Sequence, residues 1–196
     1  MPRENLYVEK IFKMVESGMN LVKPWGMLDS ADKDFLSFEL AFFYFFIYDY
    51  KIFNQLDSEL RKAIVTKFLE KIQASRPSDF KDVKEVDKYY EKRIFSYLKI
   101  RQETQKMGEF GDMCANYINT LLTFSEKNNV FTAYSLEQAE NELKPQINSD
   151  QYTEELKVLL TVSSSPLLIN GIDPTEIPTD DNKKNLFNEI KKFFRK

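Results

Sequence analysis

The stretch Phe35–Tyr50, FLSFELAFFYFFIYDY, places six phenylalanines and three tyrosines in sixteen residues. A membrane span is the first possibility to weigh. The uninterrupted apolar run covers only Leu40–Tyr48, far short of the roughly 20 residues a bilayer requires, and Glu39 and Asp49 flank it. A buried central helix is the better reading. Stepping the helix at about 100° per residue puts Ser37, Ala41, Tyr44, Tyr48 and Lys51 in one narrow stripe. Nearly everything else is apolar, as in a helix surrounded by its neighbours. The stripe is either an exposed seam or a small-residue crossing point. The helix is expected to be enclosed except along Ser37–Ala41–Tyr44–Tyr48.

Glu39 falls on the opposite side, among Phe35, Phe42, Phe46 and Tyr50. A buried carboxylate must be neutral, hydrogen-bonded or matched by a cation. The chain holds only six arginines, and two fall on apolar faces of neighbouring helices. Arg101 lies among Val83, Tyr90 and Ile94, and Arg61 lies beside Phe68 and Ile72. Both are candidates for bidentate pairing with a buried acid. Glu39, Arg61 and Arg101 therefore form the candidate binding cluster. Its structural version is a polar knot with tyrosine hydroxyls that fixes helix register. Its functional version is a site for a carboxylate or polar head group.

Outward from this stretch, the 196 residues read as one helix after another. Helical periodicity predicts a first helix over Glu4–Met19 and the central helix over Lys33–Leu56, entered through caps at Asp29, Ser30 or Asp32. A third helix covers Glu59–Gln73 behind Asp57 and Ser58. A fourth runs from Asp79, capped by Ser78, to Lys106, with Phe80, Val83, Tyr90, Ile94, Tyr97 and Leu98 as its apolar stripe. A fifth follows Gly108, with Phe110, Met113, Cys114, Tyr117, Ile118, Leu121 and Leu122 on one face. Shorter helices are expected at 135–143 and 150–162. No period-two alternation marks a strand.

The fold class is therefore all-α: a single-domain bundle of about six to eight helices around the aromatic-rich one. Residues 1–162 form the bundle. Residues 163–180 make an irregular connector with three prolines and an Asn170-Gly171 turn signal. Residues 181–196 form an amphipathic helix packed on the bundle or extending from it. From Asp180 onward this last segment sets six basic residues against three acidic ones. Its Phe187, Phe193 and Phe194 suit weak docking on an anionic membrane or in a partner's groove.

Composition excludes much chemistry. Histidine is absent, which removes the usual proton shuttle, the commonest metal ligand and every Ser-His or Cys-His arrangement. A single cysteine, Cys114, permits no intrachain disulfide or cysteine-cluster metal site and fits a reducing compartment. It sits within an apolar stripe and reads as an inert core residue. A net charge of −3 argues against general nucleic-acid binding. The polar N-terminal sequence shows no secretion signal. Neither acidic segment, 29–34 or 148–155, has calcium-loop spacing, and the scattered glycines form no phosphate cradle. No cofactor is implied.

The expected function is a non-catalytic, cytoplasmic protein-interaction module: an adaptor, regulator or inhibitor of a protein partner. The alternative is a bundle whose interhelical pocket holds an apolar or amphipathic small molecule. An enzyme working through carboxylates and tyrosines alone ranks third.

Overall fold

The computed structural model describes residues 2–22, 30–51, 56–76, 78–104 and 107–128. These residues form five helices and no strand: α1 Arg3–Val22, α2 Ser30–Lys51, α3 Ser58–Ser75, α4 Val83–Glu103 and α5 Met107–Asn128. The expected helices at 135–143 and 150–162, the 163–180 connector and the 181–196 helix lie outside the described residues.

The Phe35–Tyr50 stretch occupies the middle of α2, and from Phe35 to Asp49 every residue except Ser37 is buried. Around it, α1 packs on α3, α3 on α4 and α4 on α5, while α1, α4 and α5 also pack directly on α2. Ring contacts lock the assembly. Phe42 meets Phe68 of α3 edge-on at 5.5 Å between centroids, Phe38 approaches Tyr89 of α4 at 5.0 Å, and Phe46 approaches Phe110 of α5 at 5.7 Å. Such tilted and edge-to-face pairs place positive ring edges against negative faces.

The stripe expected to be open is covered. Ala41, Tyr44 and Tyr48 are all fully buried, and only Ser37 is partly exposed. The cause is Gly18 of α1, which lets that helix approach α2 closely. A Cβ at residue 18 would lie 2.9 Å from the Tyr44 hydroxyl oxygen and 3.6 Å from Leu40 Cδ1. The stripe is thus a crossing point, made by a glycine on the other helix. Gly18→Ala adds about 1 kcal/mol of helix propensity but overpacks the crossing by about 1–3 kcal/mol. Urea denaturation is expected to show a net loss of stability. Adding Tyr44→Phe, which removes the crowded oxygen, should restore part of that loss. A stabilised Gly18→Ala protein would contradict this crossing geometry.

Local chemistry sets the helix ends. Asp57 caps α3, its carboxylate accepting from Leu60 N at 2.8 Å. Helix α4 begins at Val83, four residues later than the pattern predicts, because Asp82 and not Ser78 is its cap. Asp82 Oδ1 accepts from Lys84 N at 2.9 Å and from Glu85 N at 3.1 Å. Ser78 and Asp79 instead belong to a turn held by Arg76. The Arg76 guanidinium pairs with Asp79 at 3.0 Å, lies 4.9 Å from the Phe38 ring centre and donates to the Asp34 carbonyl. One arginine thereby ties the α3–α4 turn to the start of α2.

The candidate polar cluster and its surroundings

Glu39 is fully buried, and its partner is Arg93 of α4. Both expected arginines are elsewhere. The Arg93 side chain is likewise fully enclosed, with Nε donating to Glu39 Oε2 at 2.8 Å and Nη2 donating to Oε1 at 2.9 Å. Tyr89, one turn before Arg93, also donates its hydroxyl proton to Glu39 Oε1. On the other side, Arg93 Nη1 donates to the Tyr117 hydroxyl of α5 at 3.1 Å. Tyr117 donates to Ser96 Oγ at 3.2 Å, and Ser96 donates to the Lys92 carbonyl at 2.9 Å. One continuous network therefore pins α2, α4 and α5 together. Bidentate guanidinium–carboxylate geometry fixes the helices axially and rotationally, because a slip of one residue would strand a charge in the core.

Electrostatics follow from enclosure. Burial works against the charge on Arg93, but Glu39 and the two phenols hold its pKa well above the usual value. Burial pushes the phenols of Tyr89, Tyr97 and Tyr117 upward, and those of Tyr48 and Tyr90 as well. These groups keep their protons more tightly in the folded chain than in the unfolded one. Their contribution to stability is present below the unfolded tyrosine pKa of about 10 and is lost as the pH rises beyond it. Ionisation of these five enclosed phenols should therefore coincide with loss of helical circular dichroism in one alkaline transition. Their ionisation with the helices intact would contradict it.

Arg61 and Arg101 have other work. Arg61 pairs with Asp49 at the end of α2, its Nε and Nη2 donating to the two carboxylate oxygens at 2.7 and 2.6 Å. Its side chain is 45% exposed, so this pair sits at the rim of the bundle. Arg101 donates through Nη1 to the Thr104 carbonyl at 2.7 Å and so closes the last turn of α4. Its guanidinium lies 5.8 Å from the Tyr50 ring centre. A cation at this end also opposes the helix dipole. Arg101 Nε and the Tyr97 hydroxyl are buried without a hydrogen-bond partner among the described residues.

Arg93 escaped the periodic reading because the buried face of α4 is itself partly polar. That face is Val86, Tyr89, Arg93, Ser96, Tyr97 and Ile100, rotated from the expected stripe. Leu98, expected inside, is 38% exposed. The available signal was Tyr89 and Arg93 at a spacing of four, which places both on one helical face.

Cys114 is fully enclosed in α5, and burial pushes its thiol pKa well above the ordinary range. Among the described residues no group of three His, Cys, Asp or Glu side chains is placed to hold a metal ion. No described helix is long and apolar enough to cross a membrane. A shallow, solvent-open cleft of about 300 Å³ lies between α1 and α3, lined by Asn5, Val8, Glu9, Lys67, Glu70 and Lys71. Four of its six lining residues carry charge, whereas pockets that hold small molecules are lined mostly by hydrophobic and aromatic side chains. Comparison of the chain with protein-family models, with curated proteins and with solved structures finds no match.

Proposed function

We propose that the protein is a non-catalytic interaction module, an adaptor, regulator or inhibitor that works by docking on a partner protein. The observation that supports this most directly is Phe95 on α4, which leaves 62% of its surface exposed. Leu98 lies three residues on and is 38% exposed, so the two side chains neighbour each other on the outward face. Aromatic side chains of this kind are the usual anchors of protein interfaces, since they bury much area with few rotatable bonds. We take the whole chain to be a single-domain bundle of about six to eight helices, with residues 1–162 as its body, a 163–180 connector and a 181–196 amphipathic helix packed on the bundle or extending from it. A cytoplasmic setting accords with one enclosed cysteine.

The alternative, an interhelical pocket in which Glu39, Arg61 or Arg101 orients a small molecule, has less support. Glu39 is engaged by Arg93 and Tyr89 in a closed core, Arg61 by Asp49, and Arg101 by Thr104. Cross-linking of the full chain in cell extract tests the leading proposal. A stoichiometric complex that disappears in Phe95→Ala supports it. Absence of any specific complex, or one indifferent to Phe95→Ala, overturns it.

A further inference from the structure

Resting on the interaction reading just proposed, we infer that the outward face of α4 is a docking stripe for an acidic peptide segment carrying an apolar anchor residue. Stepped at about 100° per residue, Lys84, Lys88, Lys92 and Lys99 all fall within about 60° of Phe95 on the helix surface. Glu91 is the one acid in that sector, so the face carries a net charge of +3 in a chain whose total is −3. Lys88, Lys92 and Phe95 are all exposed, at spacings of four and three residues that make one continuous row. Lys84, Lys88 and Lys92 enter no ion pair among the described residues. A row of cations around one exposed ring complements a segment of opposite charge with one apolar side chain to bury.

Three other occupants fit less well. A second copy of the chain would set lysine against lysine across a two-fold axis. The apolar area offered by Phe95 and Leu98 is also far below the roughly 800 Å² per partner of a stable interface. The chain's own basic 181–196 segment carries the wrong sign. A membrane spreads anionic charge over a plane, and the row is too narrow for one: Asp87 borders it on one side, Glu85 and Glu103 on the other. Those acids would meet a planar anionic surface with repulsion, whereas a single peptide strand or helix lies between them.

The test uses the full chain and a fluorescein-labelled peptide of sequence Asp-Glu-Asp-Trp-Leu-Glu-Asp-Glu, with a control peptide in which Trp and Leu are both alanine. Anisotropy should show saturable binding of the first peptide that weakens as salt is raised. Phe95→Ala and the charge-reversed Lys88→Glu/Lys92→Glu protein should each weaken it roughly tenfold, about 1.4 kcal/mol. All three positions are exposed, so circular dichroism and melting temperature should match the parent. No saturable binding, equal binding by both variants, or binding only to phosphatidylserine vesicles overturns the inference. Cross-linking in extract separates this failure from that of the broader reading. A complex that needs Phe95 but tolerates Lys88→Glu/Lys92→Glu removes the acidic partner and leaves the interaction module. A complex indifferent to both variants removes the two together.

Discussion

Replacing Glu39 by glutamine is expected to lower the unfolding free energy by about 3–5 kcal/mol, the usual consequence of breaking a buried ion pair. Shape is nearly conserved, so the loss reports charge and not packing. Arg93 would remain fully enclosed with no countercharge, and a guanidinium cannot shed its proton to escape. The converse variant, Arg93→Met, strands the carboxylate instead and should be comparably costly. Replacing both, as Glu39→Leu/Arg93→Met, should return most of the lost stability, because two apolar side chains leave no charge to solvate. Urea titrations of the four proteins decide the matter. Additive losses in the double variant would mean that Glu39 and Arg93 act independently, against the bidentate geometry.

Phe68→Ala is expected to be comparably severe, costing about 3–5 kcal/mol through lost burial and the cavity left behind. Phe68 is fully buried on α3, and its ring joins four helices. The Phe45 ring of α2 lies 4.3 Å away and the Phe42 ring 5.5 Å away. Phe12 of α1 stands at 6.0 Å and Tyr90 of α4 at 6.5 Å. Neighbours on three other helices cannot all move inward together, so collapse around the cavity should be incomplete. The denaturant midpoint should fall with an unchanged slope. A loss below about 1 kcal/mol would show that α3 is not held by this ring cluster.

Much of this was legible in the residues, and the exceptions share a physical cause. Phe42, Phe46, Phe68, Phe110 and Ile118 are apolar at helical spacing, and each is fully or almost fully buried. Glu39 was identifiable as a buried acid because its flanks are phenylalanines. Its partner was not, because burial of Arg93 depends on how α4 is rotated, and that rotation depends on the pairing itself. Arg61 and Arg101 fit apolar stripes equally well on a helical wheel, and only assembly gives each a different acceptor, Asp49 and Thr104. Likewise, Ser78 and Asp82 are both good caps in isolation. Arg76 decides between them by drawing Asp79 into the turn.

By itself, then, the chain determined an all-helical fold among the described residues, a central aromatic helix and an acid within it. Those properties follow from local periodicity and from the cost of wetting so many rings, and both can be counted along one segment. Tertiary structure alone decided that the Ser37–Ala41–Tyr44–Tyr48 stripe is closed, since the space for Tyr44 is made by Gly18 of another helix. It alone also chose Arg93 for Glu39 and left Phe95 outside. Pairing and exposure belong to the relative rotation of helices. That rotation is set by contacts between residues distant in sequence, 54 positions apart for Arg93 and Glu39.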